Sequence, residues 1–347
     1  MADVQKEMVA FDEKIRLKKF EENKELRDKR DIILTRLRDS KTLPSFEDFN
    51  QGSYAMGTGI IPADGDYDID VGLKFNVKKA DFPNPVSLKE KVASALVGHT
   101  ELGTTIRRSC VTVAYKKDGE QAFHVDLAVY AWDDPESKSR RLFISKGKVG
   151  SADAERKWEE SEPQKLVELV GEKFKADEQQ QFLRLIRLMK RWKTERFALE
   201  GNAAPTGISL TAMALESLIP VVVHDGVSNK NSPDDRKALR AFVDRSIPKF
   251  SKVGQRADGS ALYRLKVTLP VIPGNDLFSK MTDEQMTNFR DRLVELRAVL
   301  DSVEIEVDPV AACTMLQKQF GSEFPVPSKD ETGARKGRAV VSGGVSA

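Results

Sequence analysis

Residues 51–58 read QGSYAMGT, and after a short loop residues 66–72 read DYDIDVG. The second segment carries an aspartate at every second position. These aspartates are Asp66, Asp68 and Asp70. Successive side chains of an extended strand point to opposite faces, so the three carboxylates would share one face and the residues between them the other. The pattern predicts a strand with one acidic face and one face that packs into a core.

Carboxylates crowded this closely repel one another, so a fold tolerates them only where a cation or water offsets the charge. A hard divalent cation such as Mg²⁺ takes oxygen ligands from one or two carboxylates, waters and substrate phosphates. The turn upstream indicates where such phosphates would lie. Gly52 allows close backbone approach, and N–H groups in a turn of this kind, together with the Ser53 hydroxyl, bind anions. A solvated Asp/Gly loop is the alternative, but the turn and the apolar alternation favour the cation site.

A further acid lies in a β-rich stretch later in the chain. Residues 110–115 (CVTVAY) and 122–131 (AFHVDLAVYA) are predicted to form two strands joined by a turn at 117–119. Asp126 would point away from the apolar face of the second strand. An unpaired carboxylate is costly to bury, so Asp126 either faces water at a sheet edge or joins the earlier acids. We favour the second arrangement, with Asp66 either facing solvent or lying just outside the metal ligands.

Three motifs together resemble the polymerase-β-type nucleotidyltransferase superfamily: Gly52-Ser53, Asp68-Ile69-Asp70 and Val125-Asp126-Leu127. Within it, the chain is similar to bacterial enzymes related to cyclic GMP–AMP synthase, which make cyclic oligonucleotide second messengers in antiphage signalling. Four further stretches carry this narrower resemblance: the charged N-terminal helix, residues 158–163, 188–192 (LMKRW) and 205–210 (PTGISL). The resemblance implies an α+β fold, in which a mixed sheet with helices and a helical C-terminal lobe are joined by a long N-terminal helix.

The resemblance also implies roles for individual residues. The catalytic residues, and the ligands of two Mg²⁺ ions that Mn²⁺ could replace, would be Asp68, Asp70 and Asp126. The nucleotide-binding residues would be Gln51, Gly52, Ser53, Lys190 and Ser209. Lys190 matches the family lysine that meets the donor triphosphate. Ser209 resembles a family serine that helps hold the same phosphates, although a simple helix cap would also explain it.

The implied substrates are nucleoside triphosphates such as ATP and GTP, with pyrophosphate released. The alternative is a template-independent transferase that adds nucleotides to RNA ends. Such an enzyme would usually carry a concentrated basic or RNA-recognition module, and the sequence shows neither, so we expect no obligatory nucleic acid. Some related synthases are conjugated through a flexible C-terminus, which suggests a conjugation or regulatory protein partner acting at Ala347.

Composition agrees with this interpretation. The chain has 347 residues, of which 40% are hydrophobic and 32% charged, and its net charge is only +2, so any nucleotide site must be a local basic patch. Its two cysteines, Cys110 and Cys313, lie too far apart to form a zinc knuckle. No stretch has the roughly 18 apolar residues of a membrane span. We therefore expect a cytoplasmic protein without membrane anchoring.

Three segments are predicted along the chain. Residues 1–160 would form the catalytic lobe with its N-terminal spine helix, residues 161–326 a mainly helical lobe that completes the nucleotide cleft, and residues 327–347 a flexible tail. Within the second segment, a helix over residues 177–197 places three arginines on one face, and we expect Arg184 and Lys193 to lie on its solvent-exposed exterior.

Overall fold

The computed structural model describes residues 2–17, 24–61, 67–117, 120–198, 203–225 and 230–328. The strands in this part of the chain are β1 (Phe46–Asn50), β2 (Tyr67–Lys78), β3 (Thr104–Ile106), β4 (Val111–Lys117), β5 (Glu120–Trp132), β6 (Leu142–Lys146), β7 (Lys157–Glu160), β8 (Val222–Asp225), β9 (Lys230–Pro233), β10 (Ser251–Gln255) and β11 (Ala261–Arg264). The helices are α1 (Gln5–Ile15), α2 (Lys24–Arg38), α3 (Gly52–Met56), α4 (Val86–Ala95), α5 (Pro163–Gly171), α6 (Ala176–Arg196), α7 (Gly207–Ser217), α8 (Asp235–Ser246), α9 (Asp283–Ile305) and α10 (Pro309–Phe320).

The first seven strands form one mixed sheet. Its order is β1-β2-β5-β4-β3, and β6 pairs with both β5 and β7. β2 and β5 run parallel, whereas β1 with β2 and β4 with β5 are antiparallel. The long central strand β5 therefore lies beside β2 along most of its length.

Two hydrophobic clusters organise the described residues. The smaller one packs α2 and α4 against one face of the sheet, and it includes Ile69 and Val71 of β2, neither of which is exposed. Asp68 on the opposite face of β2 is exposed. The predicted alternation of acidic and apolar faces is therefore confirmed. The larger cluster is built mainly from α1 and α6 to α10. The α+β fold class is confirmed, while the predicted boundary at residue 160 stays a prediction.

The predicted N-terminal helix is two helices, because Arg16 has an extended backbone and forms a β-bridge with Ile60. α1 contributes Met8, Phe11 and Ile15 to the larger cluster, and α2 contributes to the smaller one. The two helices thus contact both clusters, as we expected of a single helix. Residues 18–23, Asp66 and Ala347 lie outside the described residues.

Two local predictions are wrong. Ser87 followed by Glu90 is a capping-box pattern, which predicts that Ser87 caps α4. The helix instead begins at Val86 after Pro85, and the Ser87 hydroxyl donates to the Asn84 carbonyl oxygen at 2.7 Å. The sequence also predicts one basic helical region over residues 229–250. Its first described residues form β9, and α8 begins only after Asp234, whose side chain caps it. No helix in the described part of the chain is long and apolar enough to cross a membrane.

Candidate active site

The acidic positions of β2 and β5 lie side by side. The parallel register of the two strands pairs Asp68 with His124 and Asp70 with Asp126. Paired residues of neighbouring strands project to the same face, and the strands lie about 4.8 Å apart. The structure thus brings Asp126 to the face that carries Asp68 and Asp70.

The surroundings of Asp68 and Asp70 disfavour the charged forms of these two carboxylates. Burial, followed by the charges of Asp68 and Asp126, raises the pKa of Asp70 from 3.8 to about 7. The pKa of Asp68 is also raised, because the protein around its otherwise exposed side chain displaces water and Asp126 adds negative charge. His124 and Lys190 lower both pKa values and so offset part of this effect. Such a cluster would gain stability from a bound cation.

Asp126 is held by neighbours on its own face of the sheet. The Thr112 hydroxyl on β4 donates to Asp126 Oδ1 at 2.5 Å. Asp126 Oδ2 lies 3.9 Å from His124 Nε2, and both side chains are largely buried. The carboxylate is therefore oriented by the protein before any ligand binds.

The Gly-Ser turn contacts β2 at one of these acids. Gly52, the first residue of α3, has a φ of +67°, which glycine adopts without strain. A Cβ at this position would overlap the Asp70 carboxylate, so only glycine allows the turn to come this close. The Gln51 backbone N–H donates to the Asp70 carbonyl oxygen at 3.1 Å. The turn and the acidic strand therefore form one connected wall.

Tyr130 orients the side chain at the start of this turn. Its hydroxyl donates to Gln51 Oε1 at 2.7 Å, and its buried ring lies 5.7 Å from the ring of Phe49. Because Oε1 accepts this bond, the amide N–H₂ of Gln51 is the group left to bind an anion. No sequence motif predicts a role for Tyr130. The available signal was its position four residues after Asp126, on the same face of β5.

These residues line a cleft of about 620 Å³. The predicted site residues in its walls are Gln51, Gly52, Ser53, Asp68, Asp70 and Lys190. The cleft is also lined by residues of α5 and by three residues for which no sequence motif predicts a site role: Tyr130, Lys146 and Lys193. Among the described residues, Asp126 and Ser209 are not part of the lining.

Lys190 lies on α6 and reaches the loop that follows the Gly-Ser turn. Lys190 is only 7% exposed, and its Nζ donates to Thr58 O at 2.9 Å and to Thr58 Oγ1 at 3.0 Å. Burial lowers the pKa of Lys190 to about 7, although the charge of Asp68 raises it. A nucleotide phosphate would therefore have to compete with Thr58 for this ammonium group.

Ser209 does not begin α7. The helix starts at Gly207, and Thr206 is its cap, with Oγ1 accepting from the Ser209 backbone N–H at 3.2 Å. The buried Ser209 hydroxyl donates to the Thr206 carbonyl oxygen at 2.8 Å. The cap interpretation of Ser209 is therefore wrong, and its role in phosphate binding stays a prediction.

The expected basic exterior of α6 is also wrong. Arg184 is buried and forms an ion pair with the buried Asp235 of α8, in which Nη2 donates to Oδ1 at 2.8 Å. Lys193 lines the cleft, and burial lowers its pKa. The sequence did not reveal this environment, because the partner acid lies 51 residues further along the chain.

The acids fit a hard divalent cation in chemistry but do not form a complete ligand set. Among the described residues, no group of three or more His, Cys, Asp or Glu side chains is arranged to hold a metal ion. The donor set is nevertheless all oxygen. Burial, followed by the charges of Asp68 and Asp126, raises the pKa of Asp70, and a bound divalent cation would offset this by favouring the charged carboxylate.

Residues 46–130 match the family described as the nucleotidyltransferase domain of DncV-like cyclic GMP–AMP synthases. This range contains the Gly-Ser turn, β2 and nearly all of β5. It therefore includes every predicted catalytic acid.

Three solved structures share the fold across most of the chain. CdnC from E. coli MS115-1 with ATP has a TM-score of 0.64 and 17% identity, covering 92% of this chain and 98% of that one. CdnG from Bradyrhizobium diazoefficiens with GTP has a TM-score of 0.65 and 15% identity, covering 92% and 95%. DncV from Vibrio cholerae has a TM-score of 0.53 and 18% identity, covering 81% and 70%. Residues 46–130 are therefore similar to a DncV-like nucleotidyltransferase domain, and the chain shares the fold of CdnC, CdnG and DncV.

Proposed function

We propose that this protein joins nucleoside triphosphates into a cyclic di- or oligonucleotide second messenger, with release of pyrophosphate. The observation that carries the proposal is the parallel register of β2 and β5, which sets Asp70 beside Asp126 at a cleft lined by the Gly-Ser turn. The structures of CdnC with ATP, CdnG with GTP and DncV with the linear intermediate pppA(3′,5′)pG support nucleotide substrates.

The donor phosphates would bind at the Gly-Ser turn. The Gln51 amide N–H₂, the backbone N–H groups of the turn and the Ser53 hydroxyl can donate hydrogen bonds to phosphate oxygens. Lys190 would add a positive charge from α6 when its ammonium group exchanges Thr58 for a phosphate oxygen. Ser209 would contribute only after its hydroxyl leaves the Thr206 carbonyl oxygen.

Asp68, Asp70 and Asp126 would hold the divalent cations of the site, two Mg²⁺ ions or Mn²⁺ in their place. When bound, such ions lower the pKa of the acceptor hydroxyl and stabilise charge on the leaving pyrophosphate. The acceptor ribose hydroxyl would lose its proton to solvent and its oxygen would form a bond to the α-phosphorus of the donor, while the bond from that phosphorus to the pyrophosphate oxygen would break. A second transfer within the linear intermediate closes the ring.

The test is incubation of the purified protein with four radiolabelled nucleoside triphosphates and Mg²⁺ or Mn²⁺. We expect a small product that resists phosphatase, and none from the double variant D68N/D70N. D39N, which changes an exposed aspartate after α2, is the matched control. Activity that survives in the double variant would refute the proposal. Extension of added RNA would establish the alternative, a transferase acting on RNA ends.

A role in antiphage signalling and a cytoplasmic location complete the proposal. The structure of CdnC with HORMA-deltaN supports a regulatory protein partner for this chain as well. Conjugation through Ala347 is a separate possibility that a mass shift of the C-terminal peptide in cells would support. A free C-terminus under phage challenge would count against it.

A further inference from the structure

Asp126, the third acid of the site, accepts a hydrogen bond from the buried hydroxyl of Thr112 on the neighbouring strand β4. We propose that Thr112 is a positioning residue, which fixes the rotamer of the Asp126 carboxylate so that this acid can join Asp68 and Asp70 around a bound divalent cation. The inference rests on the proposed function and adds to it a residue outside the cleft lining.

The sheet places Thr112 where it can do this. Antiparallel pairing of β4 and β5 sets Thr112 directly opposite Asp126, so both side chains project to the same face. Thr112 is only 3% exposed, and its hydroxyl donates to Asp126 Oδ1 at 2.5 Å. A buried hydroxyl needs a partner, and a carboxylate is a strong one. Threonine is branched at Cβ, which restricts its own rotamer and makes it a rigid support.

The donor direction follows from the neighbours of the hydroxyl. Cys110 Sγ lies 3.7 Å from Thr112 Oγ1. Because the single hydroxyl proton of Thr112 goes to Asp126, the Cys110 thiol is the donor in this second contact. Cys110 contacts both Thr112 and Asp126. The Thr112 hydroxyl bonds to Oδ1, and the remaining lone pairs of the carboxylate can accept a cation.

Two substitutions separate positioning from packing. T112V keeps the shape of the side chain but removes the hydroxyl, whereas T112S keeps the hydroxyl. T105V is the matched control, because Thr105 is the exposed cross-strand neighbour of Thr112 on β3. Residues that orient metal ligands typically contribute 10-fold or more to metal affinity, and we expect a loss of about that size in T112V.

The measurement is Mn²⁺ affinity, read from the electron paramagnetic resonance signal of free Mn²⁺, alongside the urea midpoint of each variant. We expect T112V to bind Mn²⁺ about 10-fold more weakly while still unfolding in one cooperative transition, T112S to restore most of the affinity and T105V to match wild type. Equal affinity in T112V and wild type would overturn the inference. So would a loss that T112S does not restore, or a wild-type protein that binds no Mn²⁺.

Failure of the inference and failure of the proposed function give different results. If wild type makes a cyclic product and T112V binds Mn²⁺ normally, only the role of Thr112 is lost. If the expected order of Mn²⁺ affinities holds but no nucleotide product forms, the inference stands and the proposed function does not.

Discussion

Replacing Asp70 with asparagine should stabilise the metal-free protein at alkaline pH while abolishing product formation. Asp70 is partly buried beside two other acids, and its pKa is raised from 3.8 to about 7. A raised carboxyl pKa means that the folded protein holds the proton more tightly than the unfolded chain does. The resulting stabilisation is complete below about pH 4 and is lost as the pH rises through about 7.

The size of the effect follows from the shift in pKa. Each unit of difference between the folded and unfolded states corresponds to about 1.36 kcal/mol. Part of the loss has already occurred at pH 5, so Asp70 can lower the free energy of unfolding by up to about 3 kcal/mol between pH 5 and pH 8. Asparagine carries no charge, and the D70N variant escapes this loss. The variant should therefore gain up to about 3 kcal/mol on wild type over that interval.

The assay is urea unfolding of both proteins at pH 5 and pH 8 in the presence of EDTA, with D39N as the control. Adding Mg²⁺ at pH 8 should then stabilise wild type more than D70N, because a ligand that binds only the folded state raises its stability. The reasoning is refuted if the free energies of unfolding of D70N and wild type differ by the same amount at pH 5 and at pH 8. It would mean that Asp70 is not held in an unfavourable charged state.

Three further substitutions test other contacts of the site. Y130F removes the hydroxyl that orients Gln51, so the KM for nucleoside triphosphates should rise several-fold with little change in kcat, as steady-state kinetics would show. G52A should destabilise the protein by about 1–3 kcal/mol in urea unfolding, because alanine is strained at positive φ and its methyl group would overlap a carboxylate. D12N should lower the free energy of unfolding by about 3–5 kcal/mol, because it leaves the guanidinium of Arg187 buried without its charged partner. An unchanged KM in Y130F would contradict the first expectation. Urea midpoints equal to wild type in G52A or D12N would contradict the other two.

Local patterns predicted the acidic and apolar faces of β2 correctly. Alternation with a period of two depends only on neighbouring residues, and Ile69 and Val71 are buried where the pattern places them. Local patterns also predicted β4 and β5, and the short turn between these strands predicted that they pair with each other. The parallel pairing of β2 with β5 is different, because α4, β3 and β4 lie between them in the chain. Sequence alone gave Asp126 two possible environments, and only the assembled sheet sets it beside Asp70.

The sequence was a poorer guide to the basic residues of α6. Their helical spacing was visible, but spacing does not show whether a charged side chain faces water or an acid from another element. Arg184 pairs with Asp235, and Arg187 pairs with Asp12, which precedes it by 175 residues. A buried ion pair needs both partners in place, so its presence can be recognised only once the fold is known.

The buried basic side chains of α6 position the Gly-Ser turn, which would bind the donor phosphates in the proposed mechanism. Three side chains of α6 donate to carbonyl oxygens of the segment that follows the Gly-Ser turn: Arg187 to Gly57 at 2.6 Å, Lys190 to Thr58 at 2.9 Å and Arg191 to Ile61 at 2.7 Å. The same segment is attached to α1, because the Ile61 N–H donates to the Ile15 carbonyl oxygen at 2.8 Å. Asp12 of α1 completes the connection through its bidentate pair with Arg187. The position of the turn against Asp70 therefore depends on the packing of α1 on α6, and a change in that packing would alter the cleft without touching a catalytic residue.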